Sequence, residues 1–305
     1  MTTEMKQGRV KANGLDFAYW EMGSGPLALC LHGFPDSPRS WRHLMPVLAN
    51  AGFRAVAPYN RGYAPTAIPA DGKYSTSSLV ADVNALHQAL GGGSDAVLIA
   101  HDWGAVAAWG AAAAAPKRWR RLAILNIPPL AIFGQVAFTY EQIKRSFYFW
   151  FFQMEVAESI VGLNDLAFLE GLWADWSPNY KTRAYEVAGV KDCLRNPANL
   201  NAAMGYYRSL FNPKLFGLPD GMAEQGAAWG QPVTQPTLYL HGQEDGCVAI
   251  DDRLLKAVPG FCGPGTEVGW VRGAGHFMMV EKPDEVNERV VGFLTAPAVQ
   301  TAAAE

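Results

Sequence analysis

The sequence predicts an α/β fold built on a mostly parallel sheet with helices on both faces. Three observations carry that expectation. Strand-length apolar runs alternate with helix-length segments from Leu27 to Leu125. The alternation stops near Pro128-Pro129 and resumes only at Thr237. Between these limits, the apolar run Ala96–Ile99 meets Ala100-His101-Asp102-Trp103-Gly104 and then an alanine-rich stretch to Ala115. That order reads as strand, sharp turn and helix, with small residues on both sides of the turn.

The elements follow in order. Val10–Ala12 and Leu15–Trp20 read as short strands around the turn at Asn13-Gly14. Leu27–Leu31 is a buried strand of the continuous apolar type. A helix is expected over Trp41–Ala51, stopped by Gly52, then a strand over Phe53–Ala57. Ser77–Leu90 has helical period and ends in Gly91-Gly92-Gly93. The turn at Asp102 follows, then a strand at Leu122–Leu125. Residues 131–230 are aromatic-rich and helical in period, without a buried strand. They read as a helical insertion between two parts of one core, 1–130 and 231–305, placed over the carboxyl ends of the strands. Strands at Thr237–Leu240 and Val268–Val271 and a helix at Pro283–Phe293 complete the core. The alanine-rich tail after Leu294 is expected to fray.

Composition narrows the function. Half of the 305 residues are hydrophobic, enough for a sizeable core. A net charge of -3 without a basic block leaves no footprint for nucleic acid. No apolar run is long enough to cross a bilayer, and the polar start Met1–Val10 lacks a signal-peptide core. The four cysteines, at 30, 193, 247 and 262, share no metal-ligand spacing. They are expected to be reduced structural thiols in a cytoplasmic protein.

The chemistry centres on Asp102, where a strained turn would lift a carboxylate above the sheet. A carboxylate there attacks carbon and forms an ester with the protein itself. Downstream come Glu244-Asp245 after one strand and Gly275-His276 after another. Nucleophile, acid, histidine is the chain order of a hydrolase triad, each member in a loop after a strand. Asp245 is preferred to Glu244, because a short carboxylate close to the strand suits the orientation of an imidazole. The other strand-end position for an acid holds Asn126, which cannot supply the charge. The remaining histidines are expected to be structural: His43 and His87 on helices, His241 at a strand end, and His32 and His101 supporting loops.

These residues resemble an α/β-hydrolase-fold epoxide hydrolase of the soluble and bacterial kind. The matching pieces are His32-Gly33-Phe34-Pro35, Asn60-Arg61-Gly62-Tyr63, His101-Asp102-Trp103-Gly104, Asp245, and Gly275-His276 with Glu281-Lys282-Pro283 behind it. Ala64-Pro65-Thr66 departs from the pattern, which more often continues with glycine and a polar residue there. The resemblance implies an α/β-hydrolase core with the 131–230 insertion as its cap. It also implies two cap tyrosines, Tyr148 before Gln153 and Ala157-Glu158, and Tyr207 before Arg208, with Tyr206 as the near competitor. A phenol suits the role, because the opened ring leaves an alkoxide that needs a proton donor. The turn geometry assigns an oxyanion hole to the backbone N–H groups of Trp103 and Phe34, and the loop motif implies a cis bond at Pro35.

The expected substrate is a small apolar epoxide, with water as co-substrate and the vicinal diol as product. Phe34, Trp103, Trp150 and Phe151 are the expected binding residues, and neither cofactor nor metal is called for. Monomer and homodimer stay open. A haloalkane dehalogenase is the nearest rival, since it shares the aspartate. Phe34 stands where that family usually places a polar residue, and a departing halide has no use for paired tyrosines. The other rival is a non-catalytic binding protein on the same scaffold. A complete Asp–His–Asp set argues against it.

Overall fold

The computed structural model describes residues 4–297. Eight strands form one sheet: β1 (Lys6–Ala12), β2 (Leu15–Gly23), β3 (Leu27–Leu31), β4 (Arg54–Pro58), β5 (Val97–His101), β6 (Arg121–Leu125), β7 (Thr237–Gly242) and β8 (Glu267–Val271). Their order is β1-β2-β4-β3-β5-β6-β7-β8. The β1–β2 and β2–β4 pairs are antiparallel and all others parallel. Every residue of β3, β5, β6 and β7 is buried. Helices cover both faces there, so these strands carry continuous apolar runs instead of an alternation.

Flanking the first half of the sheet are α1 (Leu44–Asn50), α2 (Thr76–Ala89) and α3 (Trp103–Ala114). Between β6 and β7 the chain forms only helices: α4 (Leu130–Val136), α5 (Tyr140–Arg145), α6 (Phe147–Phe151), α7 (Ala157–Val161), α8 (Leu163–Trp176), α9 (Ala184–Leu194), α10 (Pro197–Leu210) and α11 (Pro219–Gln225). Left-handed residues at Asn164, Asp165 and Leu166 break the first turn of α8. The chain ends with α12 (Asp252–Ala257), α13 (Met278–Glu281) and α14 (Pro283–Thr295).

Two expectations need correction. The helix expected over Trp41–Ala51 is a 3-10 turn, Pro38–Trp41, followed by α1 from Leu44. Pro46 sets that start: it has no N–H and fits only the first turn of a helix. His43 therefore precedes α1, and its carbonyl accepts from Asn287 Nδ2 at 3.0 Å. β1 is longer than expected, since an edge strand exposes polar residues that a count of apolar ones passes over. The frayed tail concerns residues 298–305, which lie outside the described residues, as do 1–3. Among the described residues no helix is long and apolar enough to cross a membrane.

The inserted helices are tied to the ends of the strands. Trp173 Nε1 on α8 donates to Pro35 O at 2.6 Å. At the end of α8, Trp176 O accepts from the N–H groups of both Gly246 (3.1 Å) and His276 (3.0 Å). One carbonyl thus fixes the two loops that carry Asp245 and His276.

Candidate active site

Asp102 caps α3 with φ 50° and ψ -123°, a conformation that L residues rarely adopt. The strain is held by close packing. A Cβ on Gly104 would lie 2.5 Å from Leu31 O, so only glycine lets α3 start this close to β3. A Cβ on Gly33 would lie 2.2 Å from Asp102 Oδ1. The same approach lets the Phe34 N–H donate to Asp102 Oδ1 at 2.6 Å. Among the described residues, no hydrogen bond joins the Trp103 N–H to this carboxylate. We expect Gly33→Ala to cut turnover by roughly 100-fold or more, because small displacements of a reacting group are that costly. Steady-state kinetics, together with a melting curve to show that the fold survives, check this.

The other carboxylate oxygen, Asp102 Oδ2, lies 3.6 Å from His276 Nε2. On the far side of the ring, Nδ1 lies 3.0 Å from Asp245 Oδ2. Asp245 Oδ1 accepts from the N–H groups of Cys247 (2.6 Å) and Val248 (3.1 Å). Burial alone would favour the neutral imidazole, but the Asp245 and Asp102 carboxylates outweigh it and push the His276 pKa up to about 10. Burial likewise opposes charge on Asp245, yet His276, His241 and the Cys247 N–H hold its pKa below the usual carboxylate value. The two carboxylates that flank the ring therefore favour its protonated form. Glu244 is an exposed residue bonded to Asn179, away from the ring.

Neighbouring side chains position this set. The His276 carbonyl accepts from Asn126 Nδ2 and lies 2.9 Å from His101 Nε2. Asn126 Oδ1 accepts from the Gly242 N–H at 2.8 Å. The strand-end position that lacks a charge thus serves as a brace between β6, β7 and the histidine loop. Glu281 accepts the Gly275 N–H at 3.0 Å and Ser177 Oγ at 2.6 Å. His32 and His101 support loops, as expected: Asn60 N donates to His32 Nε2 at 3.0 Å. His241, pushed down to about 4 by burial, lies 3.4 Å from Asp245 Oδ2 and 3.1 Å from Val248 O.

Tyr148 and Tyr207 are both buried, with ring centroids 5.3 Å apart. Phe34 packs on both, at 6.5 and 5.1 Å, and Trp103 lies 5.1 Å from Tyr207. Among the described residues the Tyr207 hydroxyl has no hydrogen-bond partner, and the Tyr148 hydroxyl has only Cys247 Sγ at 3.6 Å. Burial raises both phenol pKa values well above 10, so both keep their protons. Tyr206 is otherwise engaged: its hydroxyl donates to Arg61 O at 2.7 Å. The loop that departs from the family pattern has a cis peptide at Ala64-Pro65, and Phe34-Pro35 is cis as well.

A cavity of about 70 Å³ opens on Asp102, several times the roughly 10–15 Å³ that one water needs. Trp103, Tyr148, Phe149, Tyr207, Phe211 and Cys247 are among its walls. Three expected binding residues, Phe34, Trp150 and Phe151, are not. On α6 a residue two positions after Tyr148 points about 200° away. Trp150 accordingly faces outward against Phe211 and Phe216. Phe151 is taken up by Phe168, at 5.6 Å. Phe34 flanks Asp102 beside the tyrosines. Sequence reasoning missed Phe211 and Cys247. Cys247 could have been found by its place two residues after Asp245; Phe211 depends on how the helices pack.

A strained carboxylate at a strand–helix turn, facing a histidine from the far end of the chain, defines an α/β hydrolase. Residues 26–283 match the family model of the alpha/beta hydrolase fold. Epoxide hydrolase A of Mycobacterium tuberculosis is 30% identical over 94% of this chain and 96% of its own length. An epoxide hydrolase of Caballeronia sordidicola is 29% identical over 96% and 95%. The structure of a Bacillus megaterium epoxide hydrolase with a bound inhibitor superposes with a TM-score of 0.81, at 27% identity, over 95% of this chain and all of that one. The chain belongs to the epoxide hydrolase family of α/β-hydrolase-fold enzymes.

Proposed function

We propose that the protein opens a small apolar epoxide to a vicinal diol through a covalent ester on Asp102. The observation that carries this reading is the two-sided hold on the Asp102 carboxylate. One oxygen is kept by the Phe34 N–H at 2.6 Å, and the other faces His276 Nε2 at 3.6 Å. Asp102 Oδ2, the oxygen not bonded to Phe34, attacks a ring carbon while Tyr148 and Tyr207 hydrogen-bond the epoxide oxygen; one supplies a proton to the alkoxide and its phenolate is reprotonated from solvent. Helices 131–230 act as the cap that carries these hydroxyls and excludes bulk water.

The ester changes the electrostatics of the histidine. An esterified Asp102 has no charge, so His276 loses one of the two carboxylates that hold its proton. The ring then loses its proton to solvent more readily and, once neutral, takes a proton from water, which attacks the Asp102 carbonyl; the same proton goes to the diol oxygen as the ester bond breaks, and Asp245 keeps the ring oriented. The Phe34 and Trp103 N–H groups receive the oxyanion. Ester hydrolysis should accordingly speed up as pH rises through the lowered His276 pKa, whereas ester formation does not need that deprotonation.

The reading is tested by single-turnover hydrolysis of styrene oxide in ¹⁸O-water with excess enzyme. Unlabelled first-turnover diol with label entering Asp102 supports the ester; labelled first-turnover diol means direct attack by water. We expect Tyr148→Phe and Tyr207→Phe each to lower kcat/KM by about 10²-fold, on the scale of a lost general acid. The double variant should lose far more, as read by initial rates of diol release.

A further inference from the structure

We infer that Asp102, Cys247 and His276 form a capture site for one thiophilic divalent cation, with zinc as the representative, and that its occupation inhibits the enzyme. One ligand atom from each of the three side chains lies within 4.8 Å of the others, and all three residues are buried. A carboxylate oxygen, a thiol sulfur and an imidazole nitrogen are a donor set for zinc or cadmium, whereas magnesium and calcium prefer oxygen alone.

The geometry is close to what a tetrahedral ion needs. Metal–sulfur bonds of about 2.3 Å and metal–nitrogen or –oxygen bonds of about 2.0–2.2 Å put ligand atoms roughly 3.3–3.6 Å apart. His276 Nε2 and Asp102 Oδ2 are already 3.6 Å apart. The thiol has about an ångström to close, within reach of a small side-chain rotation. Three further observations support a ligand site. His276 Nε2 is buried and has no hydrogen-bond partner among the described residues. Its other nitrogen lies 3.0 Å from Asp245 Oδ2, the carboxylate support that metal-bound histidines use. Asp102 and Cys247 both line the cavity, which supplies an entry path and a water for the fourth position.

Binding replaces the thiol proton and the Nε2 proton, both of which go to solvent, and forms bonds to sulfur, nitrogen and oxygen without any change of oxidation state. The ion acts as an inhibitor because it takes the oxygen and the nitrogen on which the proposed reaction depends. The donor set rests on the three side chains, whereas its inhibitory effect rests on the proposed reaction.

The test uses the full chain, freed of metal with EDTA and dialysed. Zinc chloride should suppress diol formation, and EDTA should restore it. The half-inhibitory concentration, measured against each protein's own zinc-free rate, should rise at least tenfold in Cys247→Ala and in the near-isosteric Cys247→Ser. Cobalt chloride should give a thiolate-to-cobalt charge-transfer band that saturates at one ion per chain and is absent from both variants. Unchanged zinc sensitivity in the folded variants overturns the inference, as does a cobalt spectrum without a thiolate band. If no epoxide is hydrolysed, the functional reading fails, yet the cobalt titration still decides the site.

Discussion

Asp102→Asn is expected to abolish diol formation, with a fall of about 10⁴-fold or more. The amide keeps the size of the carboxylate, and its oxygen can still accept the Phe34 N–H. It lacks the anionic oxygen that attacks the ring. Epoxide binding should survive, because the cavity walls are unchanged. The check is paired: initial rates by chromatography of the diol, and a binding titration with the same epoxide. Retained turnover would remove Asp102 from the covalent role. Lost binding together with lost turnover would point to a collapsed site.

His276→Gln is expected to separate the two half-reactions. Ester formation needs Asp102 and the tyrosines, and all of them remain. Ester hydrolysis needs a base at Nε2, which glutamine cannot provide, and should slow by at least about 10³-fold. One equivalent of epoxide should therefore be consumed per chain and turnover then stall. Intact-protein mass spectrometry should show a gain equal to the mass of the epoxide, located on the peptide that contains Asp102. Glutamine retains donors and acceptors near Asp245 but removes the cation between two buried carboxylates. A modest loss of thermal stability is expected at neutral pH, and it does not by itself produce a trapped ester. A variant that loses both half-reactions equally, with no added mass, would contradict this division of labour.

Much of the site was legible because its chemistry is local in sequence. The turn at Asp102 announces itself through an apolar strand, small flanking residues and a helix. Asp245 and His276 each follow a strand in a fixed order, and each strand lies in the sheet where that order requires. Tyr207 was separated from Tyr206 only by the fold. Neighbouring residues on a helix point about 100° apart, and packing alone decided that Tyr206 bonds to Arg61 O while the Tyr207 hydroxyl has no partner among the described residues. Trp150 and Phe151 were expected in the wall for the same reason that Phe211 was missed: on an aromatic helix, composition does not say which face is inward.

By itself, the sequence determined the α/β architecture, the place of the helical segment between two core strands and the strand-end positions of the candidate Asp–His–Asp set, because these depend on periodicity and on order along the chain. Only the tertiary structure decided which cap rings line the cavity. It also brought the Cys247 thiol beside Asp102 and His276, and it left the Asn126 amide bracing the histidine loop. The physical reason is that such contacts join residues far apart in the chain, across close-packed surfaces whose register no local pattern encodes.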